Sequence, residues 1–112
     1  YWQHSSVNVL MTEGMTDAYT PPESIEILAA AARIPIVGDA VSTNTAQQLL
    51  QLGNPNQAEL NVVDYLGEFR TVGLVQYPED GHFAIFYNDA AGDTYRDFLT
   101  SSLEGTPTIT PY

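Results

Sequence analysis

Cysteine is absent from this chain, and so is lysine. The first absence removes disulfides, thiolate metal sites and cysteine nucleophiles together. The second leaves Arg33, Arg70 and Arg96 against fourteen Asp and Glu residues, for a formal charge of -11. A surface of that sign repels phosphate backbones and anionic lipid, because binding either needs cations that replace released counterions. Nucleic acid is therefore not an expected partner. Long apolar runs are missing too. The longest, Ile27 to Ala32, falls far short of the roughly 20 residues that cross a bilayer, so no transmembrane segment is expected. The start, Tyr1-Trp2-Gln3-His4, has neither an initiator Met nor a charged-then-apolar leader. It reads as a cut end, with any targeting segment lying outside the chain. His4, close to that end, is expected to be structural or disordered. Dense acid without lysine suits secreted or periplasmic surroundings.

What remains is ordinary for a folded unit: 112 residues, 44% of them hydrophobic, give room for one domain with a core, or for one part of a larger domain. Val7 to Glu13 is β-rich and mostly apolar, as in a strand covered on both faces. Thr20-Pro21-Pro22-Glu23 predicts a helix start, with Thr20 as cap, proline in the first turn and Glu23 completing a capping box. Ile25, Leu28, Ala29 and Ala32 share one side of that helix, which ends at Ile34-Pro35. From about 35 to 69 the chain reads as a surface insertion. It holds a short helix around Thr45 to Leu52 that Gly53 terminates, and a turn at Asp64-Tyr65-Leu66-Gly67-Glu68 that permits a hairpin between Ala58–Val63 and the strand Phe69–Tyr77. After Asp80-Gly81-His82 comes an apolar patch, Phe83 to Phe86. Asn88 then caps a last helix with Ala91, Tyr95, Phe98, Leu99 and Leu103 on its buried side. The tail from Gly105 is extended or loose.

The order is strand, helix, insertion, strand, helix, and a right-handed crossover makes the two main strands parallel. The fold class is α/β. So few strands leave an open parallel sheet uncovered, so the first strand is expected to be covered by something else.

Two strand ends carry the chemistry. Val7 to Glu13 runs into Gly14-Met15-Thr16-Asp17, and Thr71 to Tyr77 runs into Asp80-Gly81-His82. These motifs resemble the end of an α/β-hydrolase of the serine esterase and lipase kind. In that fold an apolar strand, a Gly and an Asp precede a Pro and a helix, and a Gly-His follows the last main strand. The resemblance covers roughly Val7 to Glu104 and implies the C-terminal part of an α/β-hydrolase sheet, parallel strands with flanking helices. It implies Asp17 as the acid and His82 as the general base of a Ser-His-Asp triad, in the family order of Ser, then Asp or Glu, then His. The chain departs from the family in lacking the Gly-x-Ser-x-Gly elbow, the oxyanion-hole loop and the earlier strands. The interval from acid to base, 82 − 17 = 65 residues, exceeds the roughly 30 of a simple βαβ unit, and the insertion supplies the excess.

The implied activity is carboxylic-ester hydrolysis on a small ester or lipid. The serine would come from an upstream, nucleophile-bearing segment or a partner chain, and no cofactor is needed. Without that serine the chain alone is expected to be inactive. The alternative is a non-catalytic binding or interaction domain derived from the same fold. Plainer roles also exist for single residues: Asp17 as a loop acid ahead of a helix, His82 as a packed loop histidine. A metal site at Glu79, Asp80 and His82 is disfavoured, since neighbouring residues on an extended chain face opposite ways. Phe83, Phe86, Tyr87, Tyr95 and Phe98 are expected in the core rather than in a ligand pocket. Tyr19 either lines an acyl or alcohol pocket or simply packs.

Overall fold

A computed structural model describes residues 6–43 and 45–112, so His4 lies outside the described residues. The elements follow in the order β1 (Val9–Gly14), α1 (Pro22–Ala31), α2 (Thr45–Leu49), β2 (Ala58–Glu59), β3 (Val62–Val63), β4 (Phe69–Arg70), β5 (Val72–Tyr77), α3 (Ala84–Tyr87), α4 (Asp89–Glu104) and β6 (Thr108–Ile109).

β1 and β5 are parallel neighbours, in register from Val9 opposite Val72 to Gly14 opposite Tyr77. β5 is buried along its whole length, and its side chains alternate between two cores as the period-two geometry of a strand requires. Val72 and Leu74 pack with Ala29, Ala32, Ile34 and Ile36 on one face. Val75 and Tyr77 pack with Val37, Ala58, Ala84, Ala91 and Ile109 on the other. Helix α1 thus covers one side of the ladder, and α3, α4 and β6 cover the other. The far edge of β5 is also occupied: the Leu74 N–H donates to the Pro35 carbonyl at 2.9 Å, and the Val37 N–H donates to the Leu74 carbonyl at 2.8 Å. The architecture is a small α/β unit whose parallel pair is supplemented by two short antiparallel pairs, β2 with β6 and β3 with β4.

Of the hairpin and the plain loop that the turn at Asp64 allows, the hairpin forms, although its strands are only two residues each. Asp64 itself is its anchor. One carboxylate oxygen accepts the Leu66 and Glu68 N–H groups, at 2.8 and 3.0 Å. The other accepts the Ser6 hydroxyl at 2.7 Å and the Arg70 Nε–H at 2.8 Å. Burial alone would raise this carboxyl, but four donors outweigh it and hold Asp64 well below the usual carboxylate range.

Several expectations are corrected. Helix α1 has no side-chain cap: Pro21 occupies the cap position, and the Thr20 N–H turns back to Asp17 instead. Leu28, placed on the buried side by its spacing, is exposed, and the buried positions are Glu26, Ala29 and Ala30. Small residues let the helix sit close to the sheet, so the contact stripe is narrow. Helix α2 stops before Gly53, because Gln51 already takes a left-handed backbone at φ 52°. Asn88 does cap α4, accepting the Ala91 N–H at 3.2 Å. Yet Tyr95, Leu99 and Leu103 of that helix are exposed, and its contact with the rest runs through the buried Ala91, Gly92 and Thr94 together with the partly buried Phe98, which packs against the core as expected.

The tail is not loose. β6 pairs with β2, placing Ile109 opposite Ala58, and Ile109 is fully buried. Replacing Ile109 with Ala is expected to cost about 2–4 kcal/mol in chemical denaturation, the usual cost of truncating a buried aliphatic side chain. A loss under about 0.5 kcal/mol, typical of surface positions, would contradict the docking of this strand.

Candidate active site

The ladder between β1 and β5 continues past the strand ends into two loops. The Met15 N–H donates to the Tyr77 carbonyl at 3.0 Å, and the Thr16 N–H donates to the Asp80 carbonyl at 2.8 Å. Gly14 makes this approach possible. A Cβ built there would stand 2.2 Å from the Gly81 carbonyl oxygen and 2.6 Å from that of Asp80, distances no side chain tolerates. The sequence therefore needs glycine at the end of β1 for the two loops to touch.

Asp17 and His82 meet across that contact. His82 Nδ1 and Asp17 Oδ2 lie 2.9 Å apart. Asp17 Oδ1 accepts the N–H groups of Tyr19 at 2.7 Å and Thr20 at 3.0 Å, so the acid closes its own turn while it orients the imidazole. Burial works to raise the Asp17 carboxyl, but the hydrogen bonds from the Thr20 N–H, His82 and the Tyr19 N–H more than offset it, and the group stays below the ordinary carboxylate value. It is ionised at neutral pH. Asp17 is 8% exposed, whereas the His82 side chain is 40% exposed.

With Nδ1–H donated to a carboxylate, the other nitrogen of a neutral imidazole carries the lone pair. Among the described residues nothing hydrogen-bonds His82 Nε2. The arrangement can accept a proton at Nε2 and stabilise the imidazolium that results, which is the work of a general base. The His82 loop is braced from behind. Asn88 Nδ2 donates to Asp80 Oδ2 at 2.6 Å while its Oδ1 caps α4, so one amide ties loop and helix together.

Around the dyad the aromatic residues depart from expectation. Phe83, Phe86 and Tyr87 are 50, 73 and 84% exposed rather than in the core, and Tyr19 is 81% exposed. The Tyr19 ring centroid lies 5.4 Å from that of His82, and the Phe83 ring stands edge-on to His82 at 4.9 Å. A cavity of about 510 Å³ near the C-terminal end of β5, lined by Val75, Gln76, Tyr77, Asn88 and Tyr112 among others, includes neither dyad residue. Among the described residues no group of three or more His, Asp or Glu side chains has an arrangement that could hold a metal ion.

Sequence reasoning missed a buried acid at the end of β1. Glu13, four positions before Asp17, is fully buried. Its Oε2 accepts Gln76 Nε2–H at 2.8 Å, and Oε1 has no partner. The same Gln76 amide accepts the Val41 and Ser42 N–H groups at 2.8 and 3.0 Å, and so pins the 41–42 loop over the sheet end. Desolvation raises the Glu13 carboxyl to about 7, against the lowering effect of Gln76 and with a smaller contribution from Glu26 and Glu23 of α1. An acid at the end of an otherwise apolar strand was the available clue.

Two measurements follow. Glu13 binds its proton more tightly in the folded chain than in the unfolded one, so its contribution is complete below about 4.5 and disappears as pH rises through about 7. In Glu13→Gln that stretch of the stability–pH curve should flatten, and an unaltered slope would contradict a buried, titrating Glu13. For the dyad, ¹⁵N spectra at a pH where His82 is neutral should show Nδ1 protonated and Nε2 bare. Asp17→Ala should return the ring to the mixed tautomers of a free imidazole, and an Nε2–H tautomer in the unsubstituted chain would refute the geometry. Comparison of the chain with protein-family models, with curated proteins and with solved structures finds no match.

Proposed function

We propose that this chain is the acid- and base-bearing part of a serine-type carboxylic-ester hydrolase, the C-terminal portion of an α/β-hydrolase sheet. The observation that carries the reading is the 2.9 Å contact between Asp17 and His82, brought together across 65 residues at the ends of adjacent parallel strands. In the reaction, His82 Nε2 takes the proton from a serine hydroxyl as its oxygen attacks the ester carbonyl. It then gives that proton to the departing alcohol as the acyl-serine forms. Water, deprotonated by the same nitrogen, releases the acid and restores the serine. Asp17 holds the ring and stabilises its charged form at both stages.

The serine is assigned to a nucleophile-bearing segment or partner chain, and the open edge of β1 supports this. Residues along a parallel strand alternate in the side toward which both backbone groups point. Val9 and Met15 donate toward β5, which turns the N–H and C=O groups of Leu10 and Thr12 to the opposite edge. Among the described residues that edge has no pairing strand. Unpaired backbone groups on a half-buried strand call for another strand. A strand added there would end about 4.8 Å from β1, next to the Asp17 loop.

The second reading is a non-catalytic interaction domain with the same architecture. It draws on the absence of any hydroxyl bonded to His82 among the described residues.

The decisive experiment uses the protein in its encoded context, with an activated short-chain ester and a serine-directed phosphonate. Turnover and phosphonate labelling of a serine are expected. His82→Ala should lower kcat by about 10⁶-fold and Asp17→Asn by about 10⁴-fold. Unchanged kinetics in either variant would remove that residue from the mechanism, and no labelling would favour the interaction domain.

A further inference from the structure

The four exposed rings beside the dyad form one surface rather than four accidents. Phe83 is its hub: its centroid lies 6.5 Å from Tyr19, 6.5 Å from Phe86 and 6.4 Å from Tyr87, and it stands against His82. These spacings fall within the range of interacting aromatic pairs. Large aromatic side chains grouped this way on a solvent face mark a recognition surface more often than a neutral stretch of exterior.

The charge around it decides what it receives. The chain carries -11 with three arginines. Arg70 is ion-paired with Asp64, and Arg96 with Asp93. Two exposed acids, Glu79 and Asp89, flank the ring-bearing segment in sequence, and Asp17 and Asp80 lie in the same two loops. An aromatic face is itself the negative end of a quadrupole, so it attracts a cation that has lost part of its hydration. The local field therefore opposes fatty-acid and phosphate anions and favours a positively charged group with an apolar body.

We propose that Tyr19, Phe83, Phe86 and Tyr87 are the specificity surface of the site and receive an organic ammonium group, with the substrate class being esters that carry such a cation. This rests on the ester-hydrolase reading for the substrate's ester bond, while the ring surface and its ligand chemistry stand on the geometry alone. The small, weakly hydrated onium head would lie over the rings, and the ester carbonyl would extend toward His82.

The test uses the protein in its encoded context and two probes of equal shape, choline and its uncharged carbon analogue 3,3-dimethylbutan-1-ol, followed by NMR of the aromatic side chains. Choline should give saturable shifts confined to the four rings and His82, and bind about fivefold more tightly than the alcohol, the expected scale for one exposed cation–π contact. Phe86→Ala and Tyr87→Ala, at exposed positions that leave the fold intact, should each weaken choline binding by more than they weaken binding of the alcohol, because only choline loses a cation–π contact. Equal binding of the two probes would overturn the cation preference. Choline shifts scattered over the acidic exterior, or unchanged in both variants, would overturn the surface itself. The His82 tautomer read in the same spectra separates the two ideas: ring binding with an Nε2–H imidazole would keep the onium surface and sink the hydrolase reading, and the converse pattern would do the reverse.

Discussion

The contact on which the rest depends is the touching of two loops at the ends of β1 and β5, where Gly14 lies directly against the carbonyls of Asp80 and Gly81. Strand pairing alone would bring the chain segments to about 4.8 Å. The missing side chain at Gly14 lets the ladder run one step further, through Met15 and Thr16, and only then does the Asp17 carboxylate reach the His82 ring. A carboxylate in that position has three donors to satisfy it, two backbone amides and the imidazole, so it stays ionised although it is buried. The electrostatics of the dyad is thus a product of turn geometry.

Around that contact the chain builds two cores, one on each face of β5, where alanines of the covering helices meet larger side chains from strands and loops. The insertion is fastened to this frame at separate points rather than packed throughout. Asp64 locks its hairpin to Ser6 and Arg70, Gln76 holds the 41–42 loop, and the last strand closes over Ala58. The first two are polar side chains whose bonding capacity is used nearly in full, the condition under which a buried polar group stabilises a fold.

The parts of this arrangement that were legible in the sequence share a cause: they are local. Asn88 as a cap and the turn at Asp64 follow from backbone preferences over a few residues, whereas the first helix stops at Ala31, where Arg33 turns left-handed at φ 56°, and not at Ile34-Pro35. Asp17 and His82 could be paired because each ends an apolar strand and the order of strands restricts how they can lie. What was not legible depends on neighbours distant in sequence. The spacing of Leu28, Tyr95 and Leu103 describes a helical face, but nothing in that spacing says whether another element covers it. Thr20 looks like a cap until Asp17 claims its amide. Glu13 looks like a strand terminator until Gln76, 63 residues on, is found opposite it. The tail read as extended or loose because two prolines and a glycine dominate it, yet one isoleucine decides its place.

The pairing of Val9 with Val72 has a kinetic meaning as well as a structural one. Closing a loop of that length costs chain entropy before any ladder bond or core contact compensates it, and parallel pairing allows no short hairpin to begin the process. Folding of this unit therefore depends on a long-range closure that local contacts do not provide. Until it occurs, both edges of an apolar β5 are open to other chains at high concentration, which makes the order in which strands are delivered as important to this molecule as their final register.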